Sequence, residues 1–588
     1  MNIMMNLLKL KILLLGCIIL LVDIQMVGQN GEKPNVVFII ADDLMKQTEL
    51  YGYPEIKTPR LSKLADEAVL FNRAYCQYPL CGPSRAVIQA SLYPSKTGIT
   101  WNKPGKDEAT QTKAASFNVK TMPHYFRDNG YTTVGGGKIY HNTTVGGKPG
   151  AIYDFDDVLS NAGVDGVKGT MPDGKKVTYI TDNSTRTITE HRDGALIENA
   201  KAWLDTYDAA SNNPFFMCLG IKKPHSPFSA PSQFWDMYNR DEIKVSDILL
   251  PEGVNADLSL NGIDGLFSGH VDTYMYTGEN IPVDKQKEII HGYSACVSFA
   301  DYLVGDIIDK LKAKNLYDNT IIVFVSDHGY KLGEYQRWAK STVHEKDAVV
   351  PLLIRDPRKT SEHGKISQAI VGLIDIYPTL SELCGIPLPE NIDGISFADV
   401  LFNTSVSGRT HISTIRVRSL SEIGIERAIS LSIINPDGYR YTQHWGGEYD
   451  VFPMKEDIIA YELYDHYKYR NTPISVENLV NTETELLEEM RQLVLSSSEE
   501  ITGSATSVKN VELKDLNYYY NRSTEKIHIS SSDLIEQVAI YDIVGYKVID
   551  LEKNTNKLEI DLSGLKKNNV FLARISAKGK TSVIKVLK

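Results

Sequence analysis

Two short, continuous apolar runs stand out along the chain, Asn35-Val36-Val37-Phe38-Ile39-Ile40 and Ile321-Ile322-Val323-Phe324-Val325. Neither shows the polar alternation of a strand with one face in water, and both fit strands of a parallel sheet covered on both faces. Helical spacings lie between them. Thr58-Pro59 offers a cap residue and a proline at the first helical position, followed by Leu61, Leu64, Ala65 and Ala68. A longer stripe of Tyr293, Val297, Ala300, Val304, Ile307 and Leu311 leads directly into the second apolar run. Strands alternating with helices in this way predict an α/β domain with a mostly parallel central sheet flanked by helices.

The pattern changes near Gly408 to short alternating segments at 428–434 and 439–444, followed by a helix near 483–495. That texture predicts a smaller antiparallel α+β subdomain packed on the first. Residues 496–504 are polar and linker-like. Residues 508–588 lack helical periodicity and carry turn signals at Asp542-Ile543-Val544-Gly545 and Ser563-Gly564, which predicts an independent C-terminal β-sandwich. At the other end, Lys9 and Lys11 precede the apolar run 12–22, too short to span a bilayer and built like an export signal cleaved near Val27-Gly28-Gln29. Leu14-Leu15-Gly16-Cys17 resembles a lipobox, but the apolar run continues past Cys17, which argues against lipidation there. The expected division is 1–28 signal, 33–405 catalytic α/β domain, 406–497 subdomain, 498–507 linker and 508–588 β-domain.

With 63 Lys+Arg against 74 Asp+Glu among 588 residues, the net charge is −11, which argues against a general nucleic-acid partner. It does not exclude an anionic ligand, because a local pocket can be basic on an acidic protein. Once Cys17 leaves with the signal, Cys76, Cys81, Cys218, Cys296 and Cys384 remain, an odd set without CxxC spacing. Cys218, Cys296 and Cys384 sit in apolar contexts as small buried hydrophobes. Cys81 does not.

Both apolar strands run into metal-ligand residues, the first into Asp42-Asp43 and the second into Asp327-His328-Gly329. Strand carboxyl ends line the ligand crevice of an open α/β sheet, so these side chains can converge. Their oxygen-rich set suits a hard cation such as Ca²⁺ or Mg²⁺. Taken alone, Asp42-Asp43 fits a helix cap better than a metal site. Cys81-Gly82-Pro83-Ser84-Arg85 precedes an apolar helical run, which puts Cys81 beside the free N–H groups of a helix start and Arg85 one turn along. A nucleophile in that setting is an oxyanion site in outline.

Cys81-Gly82-Pro83-Ser84-Arg85 resembles the C-x-P-S-R signature of type I sulfatases, with Asp42-Asp43 and Asp327-His328-Gly329 in the expected order around it. Ile374-Asp375-Ile376-Tyr377-Pro378-Thr379-Leu380 and Glu462-Leu463-Tyr464-Asp465 extend the likeness over roughly residues 33–495. Within that family, Gly137-Lys138-Ile139-Tyr140-His141, Lys223-Pro224-His225 and the run from Asp327 to Trp338-Ala339-Lys340 are similar to iduronate-2-sulfatases. The animal enzymes' disulfide cysteines have no obvious equivalent.

The resemblance implies an alkaline-phosphatase-like fold and a sulfated carbohydrate substrate, with 2-O-sulfate on a uronate, as in algal ulvan, as one form. It also implies conversion of Cys81 to Cα-formylglycine by a formylglycine-generating or anaerobic maturation enzyme. One Ca²⁺ would be held by Asp42, Asp43, Cys81, Asp327 and His328. Arg85, Lys138 and Lys340 would supply positive charge, His225 a proton to the leaving alcohol, and His141 help in releasing sulfate. As isolated residues, Lys138 and Lys340 fit solvated surface charges, and His141 and His225 ordinary histidines. Trp101, Gln336 and Arg337 stand beside these motifs and fit a sugar pocket.

Residues 508–588 resemble a type IX secretion sorting domain, through Val538-Ala539-Ile540-Tyr541-Asp542-Ile543-Val544-Gly545, Leu562-Ser563-Gly564-Leu565 and the basic end. That implies the type IX machinery as a partner and export to the surface or medium, with the periplasm as the alternative. A carbohydrate-binding β-sandwich would show similar alternation. Two other functions fit the same motifs: a phosphomonoester or phosphonate hydrolase of the same superfamily, and a non-catalytic glycan-binding surface protein.

Overall fold

The computed structural model describes residues 33–588 except 103–109, 142–143, 146–147, 150–153, 212, 252–253, 255, 261–268, 277–279, 421–424, 447–457, 467–476, 503–515, 522–523, 543–546, 566–569, 578–579 and 588. The expected signal segment lies outside the described residues.

Eight strands form the central sheet: β1 (Asn35–Asp42), β2 (Val69–Tyr75), β3 (Thr132–Gly137), β4 (Asp157–Leu159), β5 (Phe215–Pro224), β6 (Thr320–Ser326), β7 (Val349–Arg355) and β8 (Lys365–Gly372). Their order is β8-β2-β7-β6-β1-β5-β3-β4. Only β7 runs antiparallel to its neighbours, β6 and β2; the remaining pairs are parallel. Both apolar runs therefore lie at the centre, and every residue of β1 and β6 is buried.

Alternate residues of β1 point to opposite faces, as a period of two requires. Val37 and Ile39 pack with Leu196 and Ala200 of α4 (Arg192–Thr206) and with Tyr293, Val297 and Ile307 of α5 (Val283–Ala313). Val36, Phe38 and Ile40 pack with Ile88 of α2 (Cys81–Ala90), Phe126 of α3 (Met122–Asp128) and Leu380 of α6 (Ile376–Leu383). Three layers, helix on sheet on helix, explain why these strands lack polar positions.

The helix expected after Thr58 is α1 (Pro59–Ala65), with Ala68 beyond its end. Its cap is not Thr58, whose hydroxyl accepts from the Leu50 N–H at 2.9 Å. The Asp301 carboxylate of α5 accepts instead from Arg60 N–H at 3.0 Å and Leu61 N–H at 2.7 Å. A remote acidic side chain thus satisfies the helix start, and sequence spacing cannot show that.

The second unit is an antiparallel sheet of β9 (Ile412–Leu420), β10 (Ile425–Ile434), β11 (Tyr439–Gly446) and β12 (Ile458–Asp465), covered by α7 (Thr484–Thr502). Its core joins Leu431, Tyr441 and Met490 to Tyr78, Leu80 and Val87 of the first unit, the residues flanking Cys81. Helix α7 runs past residue 495 and takes up the first part of the expected 498–507 linker; 503–507 lie outside the described residues. Ser497 stays helical and buried because its hydroxyl meets His411 Nε2 at 2.7 Å.

Beyond it, β13 (Asn517–Asn521), β14 (Lys526–Asp542), β15 (Lys547–Asp561), β16 (Val570–Ala577) and β17 (Lys580–Leu587) form an antiparallel module with its own core of Ile527, Ile535, Val538, Ile540, Ile560 and Ile575. Its described strands are antiparallel and joined through β14, which runs 17 residues through register breaks and pairs with β13, β15 and β16.

An ion pair between a buried arginine and a half-buried glutamate ties the second unit to the loop that carries Lys340. Arg440 of β11 donates to Glu345 Oε2 through Nε at 2.9 Å and Nη2 at 2.6 Å. Burial alone would raise the Glu345 carboxyl, but Arg440 outweighs it and holds it at about 2. Because the folded value lies below the unfolded one, its stabilisation is complete above the ordinary carboxylate range and lost as pH falls toward 2. Arg440→Met, which leaves the half-buried Glu345 carboxylate with the Tyr75 hydroxyl but no cation, should cost about 3 kcal/mol in urea unfolding at pH 7. The gap between wild type and Glu345→Gln should close between pH about 4.5 and about 2.

Candidate active site

Strands β1 and β6 pair in parallel up to Ala41 opposite Ser326, so Asp42 and Asp327 leave the sheet side by side. On the other edge of β1 a register shift sets Asp42 opposite Pro224, one residue before His225. Three separated motifs thus meet at one end of the sheet because of strand register. The fourth arrives on α2, whose first residue is Cys81. Leu80 before it is extended, and the Gly82 N–H at the open helix start donates to Asn102 Oδ1 at 2.9 Å.

Asp43 adopts a left-handed backbone (φ 67°), a conformation that aspartate tolerates better than most residues. Its N–H donates to Asp327 Oδ1 at 3.2 Å, and its carbonyl accepts from Tyr293 Oη at 2.7 Å. The turn aims its carboxylate at Cys81, with Sγ 3.9 Å from Oδ1. Asp42, Asp43, Cys81 and His328 each place one possible ligand atom within 4.8 Å of all the others, and all four are buried. Asp327 lies against this group, its Oδ1 3.6 Å from His328 Nε2. Its Oδ2 accepts from Arg85 Nε at 2.8 Å, and its Oδ1 from the backbone N–H groups of Asp43 and His328.

Cations surround these carboxylates. Arg85 is completely buried, with Nη2 3.5 Å from Asp42 Oδ1. Lys138 pairs with Asp42 and Lys340 with Asp43. Lys340 Nζ and His328 Nε2 each lie 3.3 Å from Cys81 Sγ. His225 Nε2 sits 3.9 Å from Asp43 Oδ2, and its Nδ1 meets the Ser226 carbonyl at 2.6 Å. His141 stands near enough to feel Lys138 and Asp42, and its buried Nδ1 has no hydrogen-bond partner among the described residues.

The site drives its groups to opposite protonation states. Burial would raise Asp42, but Lys138, His225 and Arg85 outweigh it and hold it well below the usual range. Burial prevails at Asp43, reinforced by Asp42, and lifts it to about 6 against the pull of Lys340. His328 goes up to about 9, because Asp327 and Cys81 overcome its burial. His225 is driven well down by burial and then by Lys340 and Lys138, and His141 falls to about 4 through burial and Lys138. Burial and Asp42 push the Cys81 thiol up, yet Lys138, Lys340 and His328 bring it below its ordinary value. Cys76, equally buried but close to Asp327 and Asp347, is driven far up. Cys76, Cys81, Cys218, Cys296 and Cys384 are all buried free thiols, and Cys81 alone among them has this cationic setting.

The structure therefore brings Asp42, Asp43, Cys81, Arg85, Lys138, His225, Asp327, His328 and Lys340 to one point, with His141 beside it. Sequence reading did not single out Tyr293, Asn102 or Asp193. Tyr293 counted as an apolar stripe residue, and only its hydroxyl, bonded to Asp43 O and Met45 N–H, shows its second role. Asp193, on the first turn of α4, accepts from the Lys222 and Lys223 N–H groups at 3.0 and 2.8 Å and so fixes the approach to His225. No local motif marks either residue.

Residues 34–386 match the family model described as Sulfatase. A sulfatase of Formosa agariphila is 31% identical over 438 residues, covering 73% of this chain and 83% of that protein. Iduronate 2-sulfatase of Mus musculus is 28% identical, over 66% of this chain and 75% of its own length. Among solved structures, the phosphonate monoester hydrolase of Agrobacterium radiobacter superposes with a TM-score of 0.61, over 82% of this chain and 98% of that one; at 19% identity this likeness concerns the fold alone. With the family model matching more than half of its length, the chain belongs to the sulfatase family and is a sulfuric ester hydrolase built on the alkaline-phosphatase-like fold.

Proposed function

We propose that the chain is an exported sulfatase that removes 2-O-sulfate from a uronate of a sulfated polysaccharide, of which algal ulvan is one, with an aldehyde formed from Cys81 as its nucleophile. The observation that carries this reading is Cys81 Sγ at an open helix start, 3.3 Å from both Lys340 Nζ and His328 Nε2. The uronate draws support from the likeness to iduronate 2-sulfatase. The export part of this reading draws support from the N-terminal apolar segment and the sorting-like β-domain, and it brings a maturation enzyme and the type IX machinery in as partners.

The residues fit a hard cation. Asp42 Oδ1 is buried and accepts no hydrogen bond among the described residues, and it belongs to a compact group of carboxylates and imidazole. Asp42, Asp43 and His328 would hold Ca²⁺, with Asp327 and the residue at position 81 completing the set. When present, the cation supplies fixed positive charge to the sulfate oxygens, and formylglycine at position 81 supplies a hydrated aldehyde.

The chain's own side chains do the rest. Lys138 and Lys340 bind the sulfate and neutralise charge as it grows on the ester oxygens. Arg85, locked between Asp42 and Asp327, keeps the two strand ends from repelling. His225 has Nδ1 engaged with the Ser226 carbonyl, so Nε2 is the atom that delivers a proton to the leaving alcohol. The bound sulfate ester, a monoanion, would offset part of the charge of the nearby lysines and raise this imidazole toward the protonated form that the step needs. His141, neutral at pH 7 with Nδ1 unengaged, takes up a proton as sulfate is released.

Sulfate release should be faster from a 2-O-sulfated uronate disaccharide than from a 6-O-sulfated hexosamine one, and the reverse order would refute the sugar assignment. Cys81→Ala should abolish turnover with little change in Tm; surviving activity would overturn the nucleophile. Peptide mass spectrometry of enzyme from its native host should find position 81 as the aldehyde or its hydrate, and intact cysteine there would count against it. EDTA should remove activity and lower Tm by withdrawing the ion's share of the positive charge that Lys138, Lys340 and Arg85 otherwise supply alone to Asp42 and Asp43, and Ca²⁺ should restore both.

A further inference from the structure

Arg416, on β9 of the second unit, is a cation that the fold buries without a carboxylate. Only 5% of the residue is exposed. Its Nη1 donates to Tyr78 Oη at 2.7 Å and to the Val417 carbonyl at 2.5 Å, and its Nε to the Ser341 carbonyl at 3.3 Å. Its Nη2 donates to no described residue, and no described acidic side chain lies in ion-pair range. Two of the other buried arginines meet acids, Arg85 pairing with Asp327 and Arg440 with Glu345. A largely buried guanidinium left with neutral acceptors keeps an unbalanced charge, which an anion from outside would offset.

Its neighbours show where that anion would sit. Ser341 follows Lys340, and Tyr78 lies three residues before Cys81, with its hydroxyl held by the Thr100 carbonyl at 2.9 Å. The guanidinium carbon is 5.2 Å from the ring centre of Trp101, which is 52% exposed. The Trp101 carbonyl lies against Gly82, where an added Cβ would approach it to 3.0 Å. Asn102, the next residue, receives the Gly82 N–H. Arg416 and Trp101 therefore stand together against the backbone next to the nucleophile and Lys340. The indole offers an exposed apolar face and the guanidinium a planar donor edge that matches a carboxylate.

We propose that Arg416 and Trp101 form the subsite for the uronate ring, with Arg416 pairing its carboxylate through Nη2 and Trp101 covering the ring face. This rests on the uronate reading above and assigns its selectivity to the second unit. A substrate anion there replaces the missing counter-charge, and a neutral sugar does not.

The test uses methyl β-D-glucuronide and methyl β-D-glucoside, which differ only at C6, titrated by NMR into the full chain. Wild type should bind the glucuronide about tenfold more tightly or better. Arg416→Gln should bring the ratio near one, and Arg416→Lys, which keeps charge but loses the planar fork, should retain part of it. Trp101→Ala should weaken both glycosides together with the ratio intact. Equal binding of both glycosides by wild type, or a preference that survives Arg416→Gln, would overturn the assignment. Tighter binding of methyl glucoside 6-sulfate than of the glucuronide would overturn the carboxylate in favour of a second sulfate. None of these probes has to be hydrolysed, so a chain that releases no sulfate from a uronate but keeps the Arg416-dependent preference would refute the functional reading alone.

Discussion

Three carboxylates, Asp42, Asp43 and Asp327, are buried where β1 and β6 end, and they would repel one another without the cations woven among them. Arg85 bridges Asp42 and Asp327, Lys138 faces Asp42, and Lys340 faces Asp43. Removing one partner from such a set leaves an uncompensated buried charge, at a cost of about 3–5 kcal/mol. These cations come from α2, the segment after β3 and the loop beyond β6, so charge balance ties together parts of the chain far apart in sequence. The same balance tunes the chemistry: Cys81 stays below its ordinary pKa in a setting as dry as that which drives Cys76 far up.

The second unit contributes to this site from behind. Its core includes the residues flanking Cys81, its Arg440 grips Glu345, and its Arg416 holds Tyr78 and the Ser341 carbonyl. The helix that presents the nucleophile and the loop that presents Lys340 are thus both braced by β9–β12. This follows from the packing rule that an open sheet must cover one face, and here the cover is shared between α7 and the catalytic domain's own active-site shoulder.

Much of this was legible in the chain. Continuous apolar runs gave the two central strands, because burial on both faces removes the need for alternation. The spacing within Cys81-Gly82-Pro83-Ser84-Arg85 predicted a helix start with an arginine one turn on, and α2 begins at Cys81. The polar run after residue 495 misled, since a serine can stay helical when its hydroxyl finds a partner such as His411. Thr58 misled in the same way, because the acceptor that caps α1 belongs to a helix more than two hundred residues away.

The sequence by itself determined the alternation of strands and helices, the local geometry of each motif and the family to which the motifs belong. These depend on neighbours within a few positions, where periodicity and backbone preference act. Tertiary structure alone decided that Asp42 leaves the sheet beside Asp327 and across from the strand that carries His225, because strand register is set by packing along whole elements. It also decided which charges go unpaired. Whether an arginine meets a carboxylate depends on contacts between distant segments, and for Arg416 those contacts leave its free edge beside an exposed tryptophan.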